Sequence, residues 1–193
     1  MNYLFLDTET TGLVPKGKHW KADFEDFPHL VQVAWAIYTD KQKLLYESSS
    51  IIKPEGWTIP KVCVDIHGIS TKHANETGFN QKVVLRHLML DAIKCEKIIG
   101  YNLYFDISII KANLLRLKAD PAIFNKYLDK DKRIDPMKYG AEAIPDNNDK
   151  WLKLTYLYKY LFDEEMPGAH DALNDVTGTA RVYFELVKRG IIK

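Results

Sequence analysis

The sequence predicts an α/β protein in which a mixed β-sheet lies between layers of helices. Two observations support this fold class. Three apolar runs rich in β-branched and aromatic residues occur before residue 54, and the chain afterwards alternates helical stripes with short buried runs. With 193 residues, 46% of them hydrophobic and 27% charged, the chain has the size and composition of a single globular domain over residues 1–193.

The N-terminal half predicts the antiparallel part of the sheet. The predicted strands cover residues 3–6, 30–39 and 44–53. A polar loop, DTETTG, is expected to follow the first strand at residues 7–12. The charged stretch at residues 14–28 contains two prolines and no sustained period, so it predicts a long surface loop.

The C-terminal half predicts helices that alternate with short parallel strands. The predicted helices cover residues 81–95, 106–120, 153–162 and 171–189, and the predicted strands cover residues 97–102 and 133–136. In the last helix the expected buried face is Val176, Ala180, Tyr183 and Val187. A helix between two strands implies a crossover connection, so this part of the sheet is expected to be parallel.

Composition and charge exclude several classes of protein. The 27 Lys and Arg residues nearly balance 26 Asp and Glu residues, so net charge alone does not indicate a nucleic-acid or acidic-membrane partner. Two cysteines without a CxxC pattern provide neither a disulfide framework nor a zinc ribbon. The longest apolar run, residues 33–38, is too short to span a membrane. A soluble cytoplasmic protein without a membrane partner is expected.

Acidic residues follow the first predicted strand. Asp7 and Glu9 are two residues apart on an extended segment, so their side chains project from one face at the sheet edge where α/β proteins place their sites. Two adjacent carboxylates suit a hard divalent cation. A solvated turn explains an isolated D-x-E pair equally simply.

Two later motifs carry further titratable groups. Asp106 ends the string GYNLYFD, where it is either a helix N-cap or a metal ligand. His170 and Asp175 belong to GAHDALND, with the imidazole just before the last helix and the carboxylate in its second turn. Taken singly, His170 is explained as well by a surface or capping histidine as by a general base.

Together the three strings resemble, in sequence order, the DEDDh exonucleases, the DnaQ-like proofreading family, over residues 3–187. The resemblance implies an RNase H-like three-layer fold and removal of nucleotides from the 3′ end of single-stranded or frayed DNA, with release of nucleoside 5′-monophosphates. It also implies that Asp7, Glu9, Asp106 and Asp175 hold two Mg²⁺ or Mn²⁺ ions per site and that His170 is the general base. Carboxylate ligands without a thiolate favour these metals over zinc.

The same resemblance suggests residues that contact the substrate. They are Thr10 and Thr11 after the first motif, His67 of an HGI loop, Asn102, Phe105, Trp151 and Lys153. Aromatic side chains can stack on bases without reading sequence. Phe105 is explained equally well as a core residue, and an exposed lysine is usually only solvated.

Two departures from the family pattern stand out. Tyr101 replaces the histidine that often precedes the asparagine of the second motif. The sequence ends at Lys193 without the long tail by which polymerase-bound epsilon subunits reach their polymerase. A free exonuclease is therefore favoured over a dedicated proofreading subunit, and a DNA polymerase is retained as a candidate partner.

Three alternative functions are compatible with these motifs. Some relatives with the same motifs cleave DNA and others cleave RNA. No residue in this sequence indicates which of the two substrates is used, so an exoribonuclease on short RNA is the closest alternative. A catalytically silent nucleic-acid-binding module would keep the fold and lose turnover. A phosphatase with a strand-end aspartate as nucleophile fits the late H-x4-D pattern less well.

Overall fold

A computed structural model describes residues 1–120, 122–144, 151–168 and 171–193. The sheet has five strands in the order β3-β2-β1-β4-β5. Their bounds are β1 Asn2–Thr10, β2 Leu30–Thr39, β3 Leu44–Ile51, β4 Lys97–Ile99 and β5 Arg133–Ile134. β1, β2 and β3 are antiparallel neighbours, whereas β4 runs parallel to both β1 and β5. The predicted mixed sheet is therefore confirmed.

Helices cover the sheet and connect its parallel strands. They are α1 Lys61–His67, α2 Thr71–Thr77, α3 Gln81–Ala92, α4 Leu103–Arg116, α5 Ala122–Tyr127, α6 Gly140–Ala143, α7 Leu154–Phe162 and α8 Ala172–Lys188. Short 3₁₀ turns occupy Phe24–Asp26, Lys130–Lys132 and Pro136–Tyr139. Sequence periodicity missed α1 and α2, because seven residues are too few for a full apolar stripe. None of the helices in these described ranges is long and apolar enough to cross a bilayer.

The alternation of side chains along β1 and β2 creates two cores, one on each face of the sheet. On one face, Leu4 and Leu6 pack with Trp35 against α3 and α4. On the other face, Phe5 packs with Ala36 against α7 and α8. The sheet is thus the middle of three layers, as expected for the predicted fold class.

Two predicted boundaries near the site are wrong. β1 extends into the expected polar loop as far as Thr10, because β2 pairs with it up to Thr10 opposite Leu30, with a register shift after Glu9. α4 begins at Leu103, so Asp106 lies inside the first turn and is not the N-cap. Tertiary contacts explain the earlier start, since the Asp135 carboxylate accepts the Asn102 N–H at 3.0 Å just before the helix.

Two smaller differences concern α8. Asp175 lies in the first turn of this helix rather than in the second, because the helix begins at Ala172. Val187 is 40% exposed and does not belong to the buried face, whereas Val176, Ala180 and Tyr183 do. In the last turn Leu186 is the buried residue instead.

The segment at residues 14–28 is anchored to α4 by one arginine. The Arg116 guanidinium donates to the carbonyl oxygens of Glu25 at 3.1 Å and Pro28 at 3.2 Å, and also to that of Phe27. Phe27 itself is buried. The end of this segment is therefore part of the core packing, although only its 3₁₀ turn is regular.

Candidate active site

Three carboxylates from β1 and α8 meet at the carboxyl end of β1. Asp7 and Glu9 share the face of the sheet that α8 covers, because they continue the alternation that starts at Phe5. Asp175 lies in the first turn of α8. One carboxylate oxygen from each of the three can be chosen so that all lie within 4.8 Å of one another. The three side chains are partly exposed and can therefore meet a ligand.

The start of α8 is fixed by a further aspartate. The Asp171 carboxylate caps the helix by accepting the N–H groups of Leu173 at 3.1 Å and Asn174 at 3.2 Å. The Asp175 N–H then donates to the Asp171 carbonyl at 2.9 Å. The Gln32 amide contacts the second Asp171 carboxylate oxygen at 3.4 Å. This network ties the position of Asp175 to β2.

Asp106 approaches the site from α4. Its side chain is 2% exposed, and its Oδ1 accepts the Thr8 hydroxyl at 2.7 Å. Thr8 lies between Asp7 and Glu9 on β1 and faces the opposite layer. Asp106 is therefore outside the group of three, but close enough for its charge to act on Asp7 and Glu9.

The electrostatics of the cluster favour protonation in the absence of a cation. Burial raises the pKa of Asp7 well above its ordinary range, and four neighbouring carboxylates raise it further. These neighbours are Asp106, Asp175, Glu9 and Asp171. Burial and the nearby acids raise the pKa of Glu9 to about 8. Burial also raises the pKa of Asp106 to about 7, although the Thr8 hydroxyl acts in the opposite direction.

This donor set fits a hard divalent cation. Its ligand atoms are carboxylate oxygens, which Mg²⁺ and Mn²⁺ prefer, and no thiolate belongs to the group found among the described residues. A bound cation would also compensate the mutual repulsion that raises these pKa values. The acidic cluster is thus compatible with a metal site.

His170, the predicted general base, lies outside the described residues. The residues that flank its segment are described. The Asp171 N–H donates to the Gly168 carbonyl at 3.3 Å, and the Asn174 amide donates to the same oxygen at 3.1 Å. Gly168 has a φ of +59°, which favours glycine, and an added Cβ would meet the Asn174 side chain. The start of α8 is therefore held close to Gly168.

The predicted substrate residues near β1 are largely engaged with the protein. The Thr10 hydroxyl donates to the Gly12 carbonyl at 2.6 Å, and the Thr11 hydroxyl accepts the His29 N–H at 2.9 Å. His67 ends α1, and its Nδ1 accepts the Ile69 N–H at 3.1 Å. Its buried Nε2 has no hydrogen-bond partner in the described part of the chain, and burial lowers its pKa. The Thr10 backbone also acts on this imidazole, so His67 lies against the end of β1.

The other predicted substrate residues lie around α4 and α7. Asn102 is exposed and has the left-handed φ of 60°. Phe105 is partly buried and packs against the core, whereas Trp151 is 69% exposed. Lys153 is an exposed residue directly before α7. The Tyr101 hydroxyl donates to the Leu152 carbonyl at 2.6 Å, so Tyr101 joins the α4 side of the site to the segment that carries Trp151.

Sequence reasoning missed four polar residues that organise the site. They are Thr8, Gln32, Asp135 and Asp171. Gln32 and Asp135 are both buried. A glutamine inside the apolar run LVQVAWAIY was the available signal for Gln32, and an acid before the helix start was the signal for Asp171. Thr8 and Asp135 depend on contacts between distant segments, which local patterns do not reveal.

The sequence matches the family model of RNase T type exonucleases over residues 4–183. A sequence comparison with curated proteins found no match.

Several solved structures share the fold. Exonuclease I of Escherichia coli in complex with a dT13 oligonucleotide has a TM-score of 0.76 and 23% identity, over 97% of this chain and 41% of that one. The zinc-bound form of the E. coli enzyme with single-stranded DNA has a TM-score of 0.75 and 22% identity, over 97% of this chain and 40% of that one. A moderately thermophilic exonuclease I from Methylocaldum szegediense has a TM-score of 0.74 and 20% identity, over 97% of this chain and 40% of that one.

The chain thus spans about two fifths of the length of these solved chains, and the similarity shows a shared fold. The family match covers nearly the whole chain and includes the strands and helices that carry Asp7, Glu9, Asp106 and Asp175. On this evidence, the chain belongs to the DEDDh, DnaQ-like family of exonucleases.

Proposed function

We propose that this protein is a 3′-to-5′ exonuclease that hydrolyses single-stranded or frayed DNA ends with divalent metal ions and releases nucleoside 5′-monophosphates. One observation carries the proposal. Asp7, Glu9 and Asp175 converge within 4.8 Å, with the buried Asp106 carboxylate acting on two of them. A cluster with raised pKa values in a family of exonucleases is expected to hold the cations that phosphodiester hydrolysis requires.

The ligand assignment follows the family resemblance, and the grouping of Asp7, Glu9 and Asp175 supports part of it. Asp7, Glu9 and Asp175 would hold one ion, and Asp7 with Asp106 would hold a second. When bound, such a pair of ions lowers the pKa of the attacking water and stabilises the departing 3′ oxygen. Thr8 orients the Asp106 carboxylate, and Asp171 orients Asp175 through the first turn of α8.

His170 is proposed as the general base. In the reaction a water oxygen forms a bond to phosphorus, the bond from phosphorus to the 3′ oxygen breaks, and the water proton passes to the imidazole. An imidazole with an ordinary pKa near 6.5 accepts a proton at neutral pH, and such catalysis contributes about 10² to 10⁴ in rate. In the sequence His170 directly precedes Asp171, the N-cap of the helix that carries Asp175.

The terminal nucleotide is proposed to bind between α1, β1 and α4. Thr10, Thr11 and His67 would face it from one side, since His67 lies beside the backbone of Thr10. Asn102 and Phe105 would face it from α4. Trp151 and Lys153 would contact the base and the phosphate, because both side chains are exposed.

The experiment is a cleavage assay with single-stranded DNA labelled at either end. The protein is incubated with Mg²⁺, Mn²⁺ or a chelator, and the products are separated by size. A ladder that shortens from the 3′ end only with metal is the expected result, together with its loss in Asp7→Asn. Asp40→Asn is the matched control, because Asp40 directly follows β2 at the opposite end of β1, where it pairs with the N-terminus. Full activity of Asp7→Asn would refute the mechanism.

Matched RNA in the same assay tests the substrate. Faster cleavage of RNA would replace the DNA proposal with the exoribonuclease alternative, and binding without cleavage would indicate a silent module. Association with a DNA polymerase and a cytoplasmic location stay predictions from the sequence.

A further inference from the structure

We propose that a basic cavity at the start of α4 binds phosphates of the DNA strand on the 5′ side of the nucleotide being removed. This inference rests on the proposed function, since it concerns the rest of the same substrate. The cavity has a volume of about 290 Å³. It is lined by Leu103, Tyr104, Lys130, Arg133, Asp135 and Lys138.

The charge of this cavity suits an anion. Lys130, Arg133 and Lys138 contribute three cations against one acid, Asp135. The Asp135 carboxylate accepts the N–H groups of Asn102 at 3.0 Å and Met137 at 3.2 Å, so it is occupied by the protein backbone. Neither Lys130 nor Lys138 forms a salt bridge within the described residues. Both ammonium groups are therefore available to phosphates.

Arg133 provides an independent indication of a ligand. Its guanidinium donates to the Leu128 carbonyl, but its buried Nε has no hydrogen-bond partner among the described residues. A buried donor without an acceptor costs free energy, so such groups are rarely left unmatched. Arg133 lines the cavity, so a phosphate there would meet the charge of this guanidinium, which Asp129 also attracts.

The position of the cavity indicates which phosphates of the DNA strand it would bind. Asp135, which lines the cavity, is close enough to Asp106 for its charge to act on that carboxyl. Leu103 and Tyr104 share the first turn of α4 with Asp106, so the cavity lies beside Asp106. The 3′-terminal nucleotide occupies the cluster itself in the proposed reaction, so any adjoining phosphate lies on its 5′ side. Tyr104 is 62% exposed at the cavity, and an exposed ring next to cations is the arrangement that holds single strands by stacking.

The double variant Lys130→Ala/Lys138→Ala tests the inference. Lys41→Ala/Lys43→Ala is the matched control, because these exposed lysines lie in the β2–β3 turn at the far edge of the sheet. Two substrates are compared: an oligothymidylate, and the p-nitrophenyl ester of thymidine 5′-monophosphate, which is too small to reach the cavity. The ratio of kcat/KM for the oligonucleotide to that for the ester should fall about tenfold in the first variant only. An unchanged ratio would overturn the inference.

Binding measured in chelator separates this inference from the proposed function. Fluorescence anisotropy of 5′-labelled oligothymidylate should show weaker binding by the cavity variant, and the salt slope should decrease by about 1.4 for two lost contacts on a single strand. Wild-type protein that binds in this lysine-dependent way in chelator, but does not cleave when Mg²⁺ or Mn²⁺ is added, would refute the exonuclease and support the cavity. If the cavity variant no longer bound inorganic phosphate but bound the oligonucleotide as the wild type does, the cavity would be a site for free phosphate. That result would overturn the strand assignment.

Discussion

The Thr8 hydroxyl donates a 2.7 Å hydrogen bond to Oδ1 of the buried Asp106. β1 therefore serves both sides of the site, since Asp7 and Glu9 face α8 while Thr8 faces α4. The bond opposes the effect of burial on Asp106, and the balance leaves the pKa of Asp106 raised to about 7. Thr8, a neutral residue between Asp7 and Glu9 on β1, thus influences the ionisation of Asp106.

Thr8→Val should raise the pKa of Asp106 further, because it removes this hydrogen bond without a large change in volume. A rise of about one unit from a pKa of about 7 lowers the ionised fraction of Asp106 at pH 7 about fivefold, so we expect kcat/KM to fall by a similar factor. The loss should recover as the pH is raised. The measurement is the pH profile of kcat/KM with saturating Mg²⁺. Thr8→Ser should keep the wild-type profile, and an unshifted profile for Thr8→Val would contradict the role of Thr8.

The metal-free protein should become less stable as the pH rises from about 4 to 8. Unfolded carboxyl groups ionise near pH 4, whereas burial and neighbouring acids raise the folded-state pKa of Glu9 to about 8 and that of Asp106 to about 7. The folded state therefore holds more protons within this window, and linkage favours unfolding as protons are removed. Thermal unfolding in chelator across this range measures the effect. A Tm that rises with pH through this window would contradict it.

Added Mg²⁺ should reverse this trend. The cation competes with protons for the same carboxylates, so the increase in Tm should be larger near pH 8 than near pH 5. Calorimetry with and without metal at the two pH values tests this expectation. An equal increase at both would indicate a metal site elsewhere on the chain.

Asp7→Asn should stabilise the metal-free protein at pH 8. Asp7 is the acid on which burial and four neighbouring carboxylates act together, so removal of its charge relieves repulsion within the cluster. We expect a gain of about 1 kcal/mol or more, because one pKa unit on a neighbour corresponds to about 1.4 kcal/mol. Denaturant unfolding in chelator measures the gain. Asp40→Asn should show no comparable gain, and destabilisation by Asp7→Asn would refute the repulsion.

Tyr101→Phe should weaken substrate binding more than turnover. The variant removes the 2.6 Å hydrogen bond to the Leu152 carbonyl, worth about 1 kcal/mol, and frees the segment that carries Trp151. KM for single-stranded DNA is therefore expected to rise several-fold with little change in kcat. Tyr160→Phe, at an exposed position on α7, is the control. A fall in kcat with constant KM would place Tyr101 in the chemistry instead.

The sheet and the larger helices could be predicted because their residues carry the information locally. Val84, Leu88 and Ala92 mark the buried side of α3 by spacing alone, and all three are buried. The D-x-E spacing likewise predicted that Asp7 and Glu9 share a face. These features depend on one segment at a time, and a single sequence reports them directly.

The remaining features depend on contacts between segments that are distant in the sequence. The polar string DTETTG predicts a loop, yet hydrogen bonding to β2 extends β1 to Thr10. α4 starts early because Asp135, more than thirty residues away, accepts the N–H of Asn102. The bond from Gln32 to Asp171 spans 139 positions. No periodicity or capping pattern encodes such pairs, so the structure was needed to find them.

β1 is the central strand, hydrogen bonded to β2 along its whole length and to β4 over its first half. Its amide protons should therefore exchange with solvent only when the entire sheet opens, whereas fraying of the edge strand β3 leaves it untouched. Asp7 and Glu9, which β1 carries, should therefore keep their positions until the whole sheet unfolds. Heat inactivation that precedes global unfolding should therefore begin at α4 or α8, which carry Asp106 and Asp175, and not at β1.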